Sequence, residues 1–321
     1  MNANKWRAYK NVGPTSPTEE GKPRFGESNV YTLGNIGAHR IVCTKLPSVG
    51  HTREAMTAAG NTTTRLLGTF QKVDYVFLVG VGGGVPHYTD YNRHVRLGDV
   101  VISCPTRNKH IYLYCENAKS SDKGFEFEIK PYSPSNFNLQ EIATQLKSAA
   151  DQDAGATPPW FNYLRDGAER PEQPVGAGLQ AAQQRDRQAV HEHRRQGPDR
   201  GGAPHAPGKR TQERQTIAYG DRQEGCPRLH LSPIASGRQV VRDDRLRQQF
   251  SAQVGALAFD CEFDTVIESI LGNCKDSFIC IRGISDYKDG TRRKEWQPYA
   301  SLAAASVMKS IICGMEAPTN V

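Results

Sequence analysis

No Cys-x-x-Cys pair and no Cys/His ligand spacing occur among the eight cysteines of this 321-residue chain. That absence excludes a zinc-ribbon or dithiol redox motif. Cys43, Cys261, Cys280 and Cys313 stand among apolar residues and read as reduced core thiols of a cytoplasmic protein. No apolar run approaches the roughly 20 residues that cross a bilayer, and residues 1–10 are too polar for a secretory leader. No Gly-x-Gly-x-x-Gly opens a helix and no Gly-x-x-x-x-Gly-Lys-Ser/Thr is present, so the two common nucleotide-phosphate fingerprints are missing. Apolar residues are also scarce, at 37%. The shortage is concentrated in residues 165–226, which almost lack Val, Ile, Leu and aromatics. A stretch of that composition cannot bury enough apolar surface to offset its ordering entropy and reads as disordered. The stretch holds eleven Lys and Arg against nine Asp and Glu, so it carries +2 of the chain's net charge of +7. Its basic run at 191–195 has no aromatics interleaved for base stacking, so nucleic acid is not the expected partner.

What remains is organised as one interrupted domain. Residues 1–29, with Pro14, Pro17 and Pro23, read as a flexible tail or irregular lead-in. Residues 30–164 and 227–321 alternate strand and helix patterns. Strands are expected at 30–33 and 39–44, joined as a hairpin through 34–37, at 73–80, within 95–103 after a turn at Gly98-Asp99, and within 111–129. The continuous apolar run of 73–80 suggests a strand buried on both faces. Helices are expected from Arg53 to about Phe70, capped by Thr52, and over 139–150, capped by Asn138. Small residues on the first of these (Ala55, Ala58, Ala59, Gly60) suit close packing on a sheet. Pro158 to Leu164 reads as an apolar loop. After the gap, strands are expected at 229–234, 256–260 and 278–281, with helices at 245–253, about 264–272 and 298–313. Such alternation around buried strands predicts an α/β fold with a central mixed sheet flanked by helices.

Two stretches carry the chemistry. The strand at 73–80 runs into Val81-Gly82-Gly83-Gly84, where the backbone turns tightly or lies close to something else. The strand at 278–281 runs through Arg282 and Gly283 to Ser285-Asp286, at the carboxyl end where ligands of open α/β sheets bind. Gly283 is expected to relax the backbone as this strand ends. A carboxyl group at Asp286 could donate a proton or simply cap a following helix.

Three stretches together resemble the nucleoside phosphorylase/nucleosidase superfamily, most closely the 5′-methylthioadenosine/S-adenosylhomocysteine nucleosidase-like proteins. They are Phe77-Leu-Val-Gly-Val-Gly-Gly-Gly-Val85 with Arg96-Leu-Gly-Asp-Val-Val-Ile-Ser103, Ile234-Ala-Ser-Gly237 with Ala258-Phe-Asp-Cys-Glu262, and Arg282-Gly-Ile-Ser-Asp286. The resemblance implies a single three-layer α/β domain acting on a small-molecule purine nucleoside, without metal or organic cofactor, in a homo-oligomer and away from membranes. It places Asp286 as the acid that protonates or hydrogen-bonds the purine. Ser285 orients Asp286, and Arg282 supports the same end. Glu262 becomes the ribose clamp, with Cys261 beside it, and Val81, Gly82 and Gly83 line the sugar or nucleophile side.

Two departures bear on the reaction. Where phosphorylases of this family hold phosphate with an Arg and a Ser or Thr, this chain has Leu78 and Val81, which favours water over phosphate. The amides of Gly82 and Gly83 keep phosphorolysis as an alternative. The family also opens on a strand and loop that supply a glutamate to activate water. Residues 1–29 show no such strand, and Glu19, Glu20 and Glu27 match by residue type only. A catalytically weak nucleoside-binding or signalling module is the alternative that follows.

Overall fold

The computed structural model describes residues 7–10, 29–46, 53–87, 94–106, 108–122, 124–153, 155–169, 225–261, 263–287 and 296–318. Its eight-stranded sheet comprises β4 (Tyr75–Gly84), β5 (Val100–Ser103), β6 (Tyr112–Ser121), β7 (Gly124–Tyr132), β8 (Leu229–Ser232), β9 (Ile234–Ser236), β10 (Ala258–Phe259) and β11 (Ser277–Asp286). The spatial order is β7-β6-β9-β10-β4-β11-β5-β8, mixed parallel and antiparallel. The sheet curls. β8 pairs with β5 at one edge, whereas β9, which follows after Pro233 alone, pairs with β6 and β10. One extended stretch therefore bridges the edge and the interior. Proline suits the switch point because it has no N–H to leave unpaired. A separate antiparallel sheet holds β1 (Arg7–Lys10), β2 (Val30–Ile36) and β3 (His39–Thr44). Its β2–β3 turn is made by Gly37 at φ +57.

Helices flank the large sheet. They are α1 (Arg53–Thr69), α2 (Asn138–Gln152), α3 (Pro159–Ala168), α4 (Arg238–Arg242), α5 (Asp244–Val254), α6 (Asp264–Gly272) and α7 (Gln297–Gly314). The main core joins Val100, Ile102, Phe278 to Ile281 and the inner face of α7. A smaller one packs α4 and α5, through Val240 and Phe250, on Leu113, Cys115 and Phe259. Asp243 caps α5 by accepting from the N–H groups of Arg245 and Leu246.

Several expectations are corrected. The stretch read as a tail contains β1, whose four residues are too few and too mixed to show a period of two. The 158–164 loop is the start of α3: Pro159 sits in its first turn, where a missing N–H costs nothing, and Trp160 and Leu164 bury one turn apart. The small face of α1 meets a helix rather than a sheet. A Cβ on Gly60 would stand 3.2 Å from the Thr265 carbonyl of α6, and Ser269 Oγ donates to Gly60 O at 3.0 Å. β4 is not buried on both faces, since Val79 is 37% exposed. Cys43 and Cys313 are exposed, while Cys280 is buried, and burial pushes its thiol up to about 12. Asn138 is the first residue of α2 and not its cap, a place taken by Phe137, while Asn136 accepts from Asn138 N. The Thr52 cap and residues 170–224 lie outside the described residues.

β11 does not end at Gly283. All ten of its residues are buried, and Gly283 lies in mid-strand. A Cβ there would fall 1.9 Å from the Ala300 carbonyl, so glycine is what lets α7 lie on the strand. Gly283→Ala should cost about 3 kcal/mol by overpacking. Urea unfolding of the two proteins checks this. An unchanged midpoint would mean that α7 shifts freely.

Candidate active site

The carboxyl ends of β4 and β11 lie side by side. The two strands run parallel with Ile284 opposite Gly82, but the next pair is Asp286 opposite Gly83. Two residues of β11 thus advance against one of β4, a bulge at Ser285, the kind of irregularity that re-aims a side chain. Ser285 is 1% exposed and Asp286 8%. Ser285 Oγ donates to Asp286 Oδ2 at 3.1 Å. No described helix starts at Asp286, as α7 begins at Gln297.

The glycine cluster belongs to the strand and not to a turn. Gly82 and Gly84 are needed for close approach. A Cβ on Gly82 would sit 2.8 Å from Phe259 O, and one on Gly84 2.8 Å from Ile284 Cγ2. Gly83 and Gly84 pair with Phe259 and Ala258 of β10. β4 is thereby clasped between β10 and β11 at the level of Asp286. His94 and Tyr287 flank this end, with ring centroids 6.2 Å apart, and His94 Nδ1 accepts from His87 N at 3.0 Å.

Arg282 lies beneath the site, 1% exposed. Its Nη1 donates to Leu78 O at 2.6 Å, and its Nη2 donates to Asp260 Oδ2 at 3.0 Å. Its guanidinium covers the Phe263 ring at 4.8 Å. Burial works against the charge, but the Asp260 carboxylate, together with Cys280 and Tyr112, holds the Arg282 pKa above its usual value. Tyr112 OH donates to Asp260 Oδ1 at 2.6 Å and accepts from Phe263 N at 3.0 Å. The chain on both sides of Cys261 and Glu262 is therefore anchored. Cys261 is half-buried with a free thiol. Glu262 lies outside the described residues, as do Glu19, Glu20 and Glu27.

The structure thus brings Val81, Gly82, Gly83, Ser285 and Asp286 to one end of the sheet. Arg282 belongs to the buried ion-pair layer below, and the half-buried Cys261 follows Asp260 of that layer along the chain. Sequence reasoning missed Tyr112 and Asp260. The signal available was Asp260 itself, a carboxylate following the apolar Ala256 to Phe259 run, with Arg282 as a single charge within the apolar run of another strand. Among the described residues no group of three His, Cys, Asp or Glu is placed to hold a metal ion, and no helix is long and apolar enough to cross a membrane.

A curled mixed sheet flanked by helices, with a glycine-lined strand end against a bulged Ser-Asp, is the architecture of a nucleoside phosphorylase-like protein. The chain belongs to the phosphorylase superfamily, whose description it matches over residues 7–312. Solved structures agree on the fold. A 5′-methylthioadenosine/S-adenosylhomocysteine nucleosidase from Neisseria meningitidis, bound to methylthio-immucillin-A, has a TM-score of 0.50 and 14% identity, covering 97% of this chain and 91% of that one. An S-adenosylhomocysteine nucleosidase from Streptococcus pyogenes, bound to 5-methylthiotubericidin, has a TM-score of 0.51 and 13% identity, covering 97% and 89%. A nucleotide-binding leucine-rich repeat (NLR)-like protein of Hyaloscypha variabilis is 26% identical over 297 residues, 92% of this chain. The chain spans only 26% of that protein's length.

Proposed function

We propose that this chain hydrolyses the N-glycosidic bond of a purine nucleoside. The observation that carries the reading is the buried Ser285–Asp286 bulge, set against the glycine backbone of β4. Leaving purines are poor anions, so bond cleavage needs a proton donor at the base as positive charge develops on the sugar. Asp286 supplies that proton, and Ser285 fixes the rotation of its carboxyl group. Glu262 accepts the ribose hydroxyls, with Cys261 beside it, and the anchors on Asp260 and Phe263 hold that segment. Val81, Gly82 and Gly83 form the wall on the sugar side.

Water is favoured over phosphate as the nucleophile. Leu78 and Val81 present no charge, and both terminal nitrogens of Arg282, the nearby cation, are engaged by Leu78 O and Asp260. Purine release from adenosine, inosine, methylthioadenosine and S-adenosylhomocysteine should therefore proceed at the same rate, within about twofold, after inorganic phosphate is removed. Strict dependence on phosphate would make the chain a phosphorylase. The reading includes a homo-oligomer, which light scattering tests.

A second reading is a nucleoside-binding module of weak activity. It is favoured by β1: Arg7-Ala8-Tyr9-Lys10 carries no carboxylate to activate water, and loss of a general base removes about 10²–10⁴-fold in rate. The match to one quarter of a much longer NLR-like protein also suits a sensing unit. Nucleoside binding without purine release would decide for it.

A further inference from the structure

The turn before β5 grips the bulge that carries Asp286. Gly98 N donates to Ile284 O at 2.7 Å, and Ile284 N donates to Asp99 O at 2.8 Å. Both backbone groups of Ile284 are thus held, one residue before Ser285. The turn is itself built in. Asp99 is 0% exposed. Its Oδ1 accepts from Arg228 N at 3.0 Å, and its Oδ2 accepts from Arg96 N at 3.1 Å and from His230 Nε2 at 3.0 Å. A carboxylate removed from water requires donors of this kind around it. His230, on β8, is 6% exposed. On the other side, a Cβ on Gly98 (φ +86) would fall 2.5 Å from the Tyr299 ring, so α7 seats the turn from above.

A bulge of this kind is locally underdetermined. Two residues face one, and the extra residue can sit at either of two neighbouring positions along the strand. A slip of one residue turns the side chains to the opposite faces. Asp286 would then change places with Ser285. Fixing Ile284 by both its N–H and its C=O removes that freedom. We infer that Asp99 and His230 are positioning residues for Asp286, holding the register in which it stands opposite Gly83. The inference rests on the reading of Asp286 as the acid. It assigns a role to the Arg96-Leu-Gly-Asp99 turn and to a histidine in β8, neither of which adjoins Asp286 in sequence.

The test compares purine release by wild type, His230→Leu and His230→Gln, with kcat and KM measured separately. Glutamine places an amide N–H where Nε2 stands, whereas leucine keeps bulk without a donor. His230→Asn, whose amide reaches no further than Nδ1, replaces the leucine variant if that one does not fold. His230→Leu should lose about tenfold to a hundredfold in kcat, the scale of a misplacement of about 1 Å, with KM nearly unchanged. His230→Gln should recover most of the loss. Hydrogen exchange gives an independent measure: the Ile284 and Gly98 amides should exchange faster in the donor-less variant while β6 and β7 amides keep wild-type protection. Unchanged kcat, equal losses in the leucine and glutamine variants, or unchanged Ile284 protection would each overturn the inference. Absence of purine release from wild type would instead overturn the hydrolase reading, and the positioning role would fall with it. The two failures are therefore separable in one data set.

Discussion

Asp286→Asn should remove purine release almost completely, by about 10²–10⁴-fold in kcat, the range that one general acid contributes. Asparagine has the same shape and keeps an oxygen for the Ser285 hydroxyl, so the bulge and the strand register are retained. What it cannot do is deliver a proton to a departing purine. The loss should fall on kcat with KM little changed, because the missing interaction matures only in the transition state. A substrate analogue whose leaving group departs as a stable anion provides the internal control. It needs no protonation and should be hydrolysed by Asp286→Asn with a much smaller loss. An equal loss for both substrates would mean that the substitution damaged the site as a whole. No loss for either would remove Asp286 from the chemistry.

Much of this arrangement was legible in the sequence. Long β-branched or apolar runs gave β4, β5 and β11, and the glycine-rich end of β4 was visible as a place where the backbone approaches something closely. What it approaches was not visible. Gly82 makes room for Phe259 O, and Gly283 makes room for Ala300 O, contacts between segments more than a hundred residues apart or across a helix packing. Local pattern carries no information about such pairs. The bulge at Ser285 is invisible for the same reason, since it exists only in the register between two strands. α3 was hidden because Pro158-Pro159 next to three aromatics mimics a loop, although proline in a first turn promotes a helix. Asp99 was read as a turn residue and His230 as one residue of a strand. Both readings are correct locally, and neither reveals that the two side chains meet. The clearest carboxylate of the resemblance, Glu262, lies outside the described residues, whereas its unremarked neighbour Asp260 proves to be the centre of a buried network.

That network sets the second large expectation. Asp260→Leu or Arg282→Met alone should each destabilise the fold by about 3–5 kcal/mol, because each leaves one buried charge without its counterpart. Replacing both at once by apolar residues of similar volume, Arg282→Met with Asp260→Leu, should cost clearly less than the sum of the single changes. Tyr112 and Phe263 keep their packing in that double variant, and no lone charge remains. Denaturant midpoints of the four proteins make the cycle. Additive losses would mean that the ion pair contributes no coupling and that each side chain acts through packing alone. Tyr112 adds a dependence on pH. Burial, and then the Asp260 carboxylate, hold its phenol well above its usual pKa in the folded chain. The folded state therefore keeps a proton that the unfolded state releases near pH 10. The corresponding stability is fully present below about pH 10 and is lost as pH rises beyond it toward the folded value. Tyr112→Phe should lower stability at neutral pH by about 1–3 kcal/mol, because Asp260 Oδ1 loses its donor and Phe263 N its acceptor. It should also flatten the alkaline limb of the stability curve. A Tyr112→Phe chain as stable as wild type at pH 7 would show that water replaces the phenol at no cost, and the segment carrying Cys261 and Glu262 would then be held from the Arg282 side alone.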